Sequence, residues 1–155
     1  MPKTVKPIPD GYHTATPYLI VDDGARAIEF YQRAFGAVEM MRMPTPGGKV
    51  GHAEIKIGDS PIMLADEAPE MDARSPKHYG GSPVSLLLYV EDVDKLFAQA
   101  VAAGGTATQP VTDKFYGDRS GTVKDPFGHS WHLSTHKEDV PPDEMTKRMA
   151  AMHKG

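Results

Sequence analysis

Apolar and polar residues alternate with two different periods along this chain, and the two periods occur twice in the same order. Thr14 to Val21 ends in Tyr18-Leu19-Ile20-Val21, a run of strand formers, and Pro17 suits the start or edge of a strand. Behind Asp23, the residues Ala27, Ile28, Tyr31, Ala34 and Phe35 recur at helical spacing. That predicts a helix capped by Asp23 and stopped by Gly36 in a left-handed conformation. Val38 to Met43 predicts a second strand, and Pro44-Thr45-Pro46-Gly47-Gly48 a turn. From Lys49 to Ile57 the alternation is clear, with Ala53, Ile55 and Ile57 on one face and His52, Glu54 and Lys56 on the other. Gly58-Asp59-Ser60-Pro61 then turns the chain into a short strand, Ile62 to Ala65.

The same βαβββ order returns in the second half. Val84 to Val90 predicts a strand, and Asp92 to Ala103 a helix whose buried stripe is Val93, Leu96, Phe97, Ala100 and Val101. Gly104-Gly105 ends that helix, and three short strands follow at Thr106 to Val111, Thr122 to Lys124 and Ser130 to Thr135. Asp23 and Asp92 lie 69 positions apart, and the same offset carries Ile28 onto Phe97, Gly36 onto Gly105, Ile62 onto Trp131 and Leu64 onto Leu133. Self-similarity at a fixed offset identifies one unit present twice. The expected architecture is therefore α+β: module one at about 12–66, a polar linker at 67–83, module two at about 84–137, and an amphipathic C-terminal helix at about 141–153. The whole, 1–155, is read as a single domain behind a proline-rich arm, residues 1–12.

Composition narrows the function classes. A length of 155 residues suits one domain, and 39% hydrophobic with 25% charged residues is the balance of a soluble globular protein. The net charge of −4, without a basic stripe, gives no reason to expect nucleic acid. No apolar run approaches a membrane span, and the start of the chain does not read as a signal peptide. With no cysteine there is neither a disulfide nor a thiolate site. A cytoplasmic protein is the expectation.

Two stretches carry a resemblance. Tyr18-Leu19-Ile20-Val21-Asp22-Asp23 followed by Ala27-Ile28-Glu29-Phe30-Tyr31, and Asp125-Pro126-Phe127-Gly128-His129-Ser130-Trp131, taken in order with the internal repeat, resemble the glyoxalase/bleomycin resistance/dioxygenase (vicinal oxygen chelate) superfamily over roughly residues 12–137. His52-Ala53-Glu54-Ile55 and Tyr116-Gly117-Asp118-Arg119 are similar to its phosphonate-operon-type branch. The resemblance implies that each module curls four strands into a cup and that two cups form a half-open, barrel-like cavity, within a chain or across a homodimer. It implies a small-molecule ligand, and in many members a divalent metal held by His, Gln or Glu.

Carried onto this chain, the ligand positions of that metal fall at Thr16, Met63, Ser85 and His132. Only His132 is a good ligand, so no metal is expected in that quartet, because such a site needs about three strong protein donors. A displaced set, His52, Glu54 and His132, is the alternative. His52 and Glu54 share a strand face and are the candidate acid–base pair. Tyr116, Asp118 and Arg119 are the candidate ligand clamp, with Asp118 holding Arg119, and Thr16, Tyr18, Met63, Ser85 and His132 are the further ligand contacts. Trp131 is read as core, Asp125 to Gly128 as a structural turn, His129 and His136 as surface residues, and Met40 to Met43 as core packing, a dimer contact or a pliant apolar pocket. Two function classes follow. One is a lyase, isomerase or dioxygenase acting on a small oxygenated metabolite; the other is a metal-free protein that sequesters a drug-like ligand.

Overall fold

The computed structural model describes residue 1 and residues 3–154; Pro2 of the proline-rich arm and Gly155 at the end of the expected domain lie outside the described residues. The chain divides into two compact units, residues 1–81 and 82–155. The first contains β1 (Tyr18–Val21), α1 (Gly24–Phe35), β2 (Val38–Pro44), β3 (Val50–Ile57), β4 (Ser60–Asp66) and a short α2 (Pro76–Tyr79). The second contains β5 (Ser85–Tyr89), α3 (Val93–Ala102), β6 (Thr106–Asp113), β7 (Asp118–Lys124), β8 (Ser130–His136) and α4 (Pro142–Met152). The fold is α+β with two βαβββ modules and a C-terminal helix, as the repeat predicts.

Each unit carries one four-stranded mixed sheet, ordered β1-β4-β3-β2 in the first and β5-β8-β7-β6 in the second. The first strand of each module pairs parallel to the last, and the other pairings are antiparallel. Parallel pairing requires a crossover, which the helix and two intervening strands supply. Alternation then sorts the side chains. In the first unit Leu19, Val21, Ala53, Ile55, Ile62 and Leu64 are buried on the sheet, together with Ala27, Ile28 and Tyr31 of α1. Trp131, Leu133 and Val123 are the counterparts in the second unit, where α3 packs over β6, β7 and β8. Each fully buried aliphatic or aromatic side chain here contributes about 1.5–3 kcal/mol relative to exposure.

The two units also repeat their hydrogen bonds. Asp23 accepts from the Arg26 amide and Asp92 from the Lys95 amide, both at 3.1 Å, as N-caps do. At the end of the last strand, Asp66 accepts from the first amide of α1, Gly24 N, at 2.8 Å. In the second unit Thr135 Oγ1 does the same for Val93 N at 2.9 Å. These are the amides that a helix start leaves unpaired.

Local structure differs from the sequence reading chiefly at β1, β6, β7 and the linker. β1 begins at Tyr18 rather than Thr14, because Pro17 has no N–H to give; only its carbonyl joins the sheet, accepting from Met63 N. β7 extends back to Asp118, because a complete pairing with β8 overrides the weak strand propensity of Asp118, Ser120 and Gly121. β6 runs past Val111 to Asp113, because Thr112 and Asp113 pair with Ser120 and Arg119 of the extended β7. The segment expected to be a plain linker holds a 3₁₀ turn at Pro69–Met71 and α2, each started by proline, with Ser75 fully buried where Glu67 accepts from both its N–H and its hydroxyl. No helix among the described residues is long and apolar enough to cross a membrane.

Candidate functional site

In the first unit the sheet face opposite α1 carries the candidate pair. Glu54 lies opposite Met63, Met63 lies opposite Tyr18, and His52 lies opposite Met43, so these side chains share that face. Three of them form a line of hydrogen bonds. Tyr18 Oη lies 2.8 Å from His52 Nδ1, and His52 Nε2 lies 3.1 Å from Glu54 Oε2. An ionised carboxylate only accepts, so Nε2 carries the proton toward Glu54 and Nδ1 is the acceptor for the Tyr18 hydroxyl. The His52 and Glu54 side chains are each 20% exposed, whereas Tyr18 is 49% exposed. Tyr18 is thus the outer end of the relay. It also lines a cavity of about 580 Å³ with Ile20, Lys49, Ala65, Glu70 and Met71.

The second unit is built differently. His132 is bracketed by hydroxyls, with Nδ1 2.8 Å from Thr122 Oγ1 and Nε2 3.0 Å from Ser85 Oγ. Thr16 and Met63, the first unit's members of the expected quartet, are half-buried, Thr16 ahead of β1 and Met63 between Tyr18 and Glu54 in the sheet. Threonine, methionine and serine are poor donors for a divalent ion, and both nitrogens of the single imidazole are already hydrogen-bonded. In the displaced alternative, His52 and Glu54 supply two donors, and His132 is engaged with Ser85 and Thr122. No group of three or more His, Cys, Asp or Glu among the described residues is placed to hold a metal ion. By donor chemistry, the quartet Thr16, Met63, Ser85 and His132 does not fit a divalent metal of the three-donor kind.

The expected clamp comes apart. Asp118 and Arg119 are neighbours on a strand and project to opposite faces. Arg119 binds Asp94 of α3 through Nε and Nη2, both at 2.9 Å, and Asp113 through Nη1 at 3.2 Å. Asp94 holds the guanidinium above its ordinary range, and Arg119 in turn lowers Asp94. This Arg119 ties a helix to a sheet and does not rest on Asp118. Tyr116 is 37% exposed and meets Phe115 edge-on.

Asp118 belongs to a network that sequence reasoning missed. Buried on β7, it accepts from Tyr89 Oη at 2.7 Å and from His136 Nδ1 at 2.7 Å, while His136 Nε2 lies 2.7 Å from Asp139. A carboxylate at each ring nitrogen requires both to bear protons, so His136 is an imidazolium here. Asp118 first, and Asp139 next, hold its pKa above the usual histidine value. The bond to Asp118, with burial adding to it, raises the Tyr89 phenol. His136 is exposed, as expected, and closes β8 in a charged network. His129, also expected at the surface, is buried, because Asp125 folds the turn inward by accepting from its amide. The signal for the Asp118–His136 pair was present in register. The tight turn after Lys124 sets Lys124 opposite Ser130, and counting back six residues on each strand sets Asp118 opposite His136.

Comparison with known proteins adds the family. Residues 12–133 match the family model described as Glyoxalase/Bleomycin resistance protein/Dioxygenase superfamily. An uncharacterized protein of Mycobacterium bovis is 43% identical over 143 residues, covering 90% of this chain and 94% of that one. Among solved structures, TioX from Micromonospora sp. ML1 superposes with a TM-score of 0.63 at 27% identity, covering 83% of this chain and all of TioX. A gene product of Arabidopsis thaliana superposes with a TM-score of 0.64 at 28% identity, covering 79% of this chain and 98% of that one.

Proposed function

The chain belongs to the glyoxalase/bleomycin resistance protein/dioxygenase superfamily, and from that premise we propose that its first unit is a proton-transfer enzyme, of lyase or isomerase type, acting on a small oxygenated metabolite. The observation that carries this reading is the Tyr18–His52–Glu54 relay, whose outer residue also lines a cavity. Substrate enters beside Tyr18 and places the carbon next to its carbonyl near Tyr18 Oη. Tyr18 passes its proton to His52 Nδ1, and Tyr18 Oη takes the proton from that carbon, leaving an enolate on the substrate. His52 becomes an imidazolium whose Nε2–H stays on Glu54, which stabilises the charge as it forms. Return of the proton to the former carbonyl carbon, with the adjacent hydroxyl passing its own proton to the enolate oxygen, gives isomerisation, and loss of a β-leaving group gives elimination. No step runs through a metal, and the dioxygenase reading falls behind because two donors, His52 and Glu54, are one short of a redox-metal set.

Deuterium incorporation tests this. A panel of α-hydroxyketones and α-hydroxyaldehydes is incubated with the protein in D₂O, and loss of the proton next to the carbonyl is followed by ¹H NMR. Tyr18→Phe and His52→Gln should slow exchange about 10²–10⁴-fold, the usual contribution of a positioned acid or base. Glu54→Gln should slow it less, since it orients the imidazole. No exchange with any member of the panel, or equal exchange in Tyr18→Phe and His52→Gln, refutes the reading.

The sequestering alternative is favoured by one feature: Tyr18 and Met43 on this same face are 49% and 51% exposed. Saturable binding of panel members without any exchange would establish it. The expected homodimer belongs to the same proposal. Its support is the apolar edge strand β2, where Val38 and Met40 are each 59% exposed, and sedimentation equilibrium measures it directly.

A further inference from the structure

The relay does not stand in a polar field. Its cross-strand neighbours are methionines: Met63 lies opposite both Tyr18 and Glu54, Met41 opposite Glu54, and Met43 opposite His52. Directly opposed residues project from the same side of a sheet, so three thioether side chains from two different strands surround one imidazole and one carboxylate. The next pair along, Ile20 opposite Ala65, extends the apolar floor toward the cavity that both line. The floor has a planar wall as well, since the Tyr18 and His52 rings lie 5.5 Å apart at 39°. Of these methionines only Met43 is largely open, while Met41 and Met63 are half-buried.

We infer that the substrate of this site is an aromatic oxygenated compound, such as an aryl ketone bearing an adjacent hydroxyl, rather than a short aliphatic one; the inference rests on the proton-transfer reading and deepens it. A three-carbon ketol could meet Tyr18 but would leave the methionines uncovered. An aryl group on the carbonyl carbon covers them while the adjacent hydroxyl donates to Tyr18 Oη, whose own proton is engaged with His52. Methionine suits this role chemically: its unbranched chain adapts to a flat ring, and its polarisable sulfur makes favourable contacts with aromatic edges and faces. At the strand positions paired across this face, the polar side chains are those of the relay and the outlying Lys56, so orientation comes from one hydroxyl and affinity from the ring, the usual division of labour in a small-molecule site.

The probes are 2-hydroxyacetophenone and hydroxyacetone, titrated into protein labelled with ¹³C at the methionine methyl groups. The aryl ketol should bind at least about tenfold more tightly and should move the Met41, Met43 and Met63 methyl signals by ring-current shifts. The Met145, Met149 and Met152 signals of α4 serve as internal controls. Met43→Ala and Met41→Ala should each reduce the preference for the aryl compound, and Tyr18→Phe should keep the ring-current shifts while losing exchange. Equal affinities for the two ketols, no binding of either, or shifts that avoid the three floor methionines overturns the inference. If wild-type protein exchanges hydroxyacetone without preferring the aryl compound, the aromatic assignment fails and the proton-transfer reading survives. If the methyl signals shift but neither compound exchanges, the outcome is reversed.

Discussion

Replacing Asp125 by asparagine should destabilise the second unit by about 1.5–3 kcal/mol, with almost no change in side-chain volume. Asp125 is buried, and its two oxygens have separate duties. Oδ1 accepts from the amides of Phe127 and His129, both at 2.9 Å, and Oδ2 accepts from Trp131 Nε1, also at 2.9 Å. Trp131 is fully buried, so its N–H has no water to turn to. Asparagine keeps the Oδ1 acceptor but puts an NH₂ where Oδ2 was, opposing donor to donor. The loss is one hydrogen bond to a charged group plus a stranded indole N–H, which sets the figure. Alanine would strand all three donors at about 1–3 kcal/mol each, comparable to a whole domain's stability, and should fold poorly. Urea unfolding followed by the fluorescence of Trp131, the single tryptophan, measures the asparagine effect. Circular dichroism then repeats it in a Trp131→Phe background, where no indole N–H remains to strand and the cost should fall below about 1 kcal/mol. The reasoning is refuted if Asp125→Asn costs under about 0.5 kcal/mol, or costs the same in both backgrounds.

Three further outcomes are expected. Because Asp118 and Asp139 raise the folded pKa of His136 above its unfolded value, its stabilising contribution is fully present below the unfolded pKa and is lost as pH rises through the folded one; the urea-midpoint gap between wild type and His136→Gln should shrink from pH 6 to pH 9, and a constant gap would contradict this. Gly117 holds φ at +101°, and a Cβ there would strike the Glu138 carbonyl, so Gly117→Ala should cost at least about 2 kcal/mol in thermal or urea unfolding. Thr135→Val removes both the acceptor for Val93 N and the donor to the Val90 carbonyl, and should cost about 1–2 kcal/mol with the α3 amide of Val93 exchanging faster in deuterated water.

Most of the fold was legible because it is written in local chemistry. Asp23 and Gly36 mark the two ends of α1 by capping, and the alternation over β3 sorts its faces correctly. What was not legible depends on pairing between segments. Nothing near Tyr18 announces that its hydroxyl will meet a histidine 34 residues away; only the register of β1 on β4 and of β4 on β3 brings them together. Arg119 failed in the opposite direction. Adjacency to Asp118 suggested a pair, but strand geometry sends neighbours apart, and the true partners came from α3 and β6. His136 is exposed as read, but its bond to the buried Asp118 was missed because β8 runs one residue further than expected.

The internal repeat separates what holds the fold from what the face does. Where the two copies must build the same backbone they agree: the capping aspartates coincide, and Asp66 and Thr135 meet the same helix amide with different side chains. On the sheet face opposite the helix they part. Tyr18 and Met63 of the first unit become Leu87 and His132 in the second, and the place of Glu54, opposite the last strand, is taken by Thr122. A carboxylate that orients an imidazole has therefore been replaced by a hydroxyl, which holds the ring but carries no charge to stabilise an imidazolium. If face residues were kept for packing alone, such swaps would conserve volume and polarity, and they do neither. On the proposed reading, the asymmetry assigns acid–base work to the first copy and neutral hydrogen bonding to the second. Ser120 and Thr122 are nonetheless buried and Ser120 accepts from Ser134 Oγ at 2.8 Å, so transplanting the relay with Leu87→Tyr, Ser120→His and Thr122→Glu together should lower the urea midpoint of the protein by overpacking and by burying a carboxylate. An unchanged midpoint in that triple variant would show that this face accommodates the added volume and charge, and that its small hydroxyls are not kept for packing.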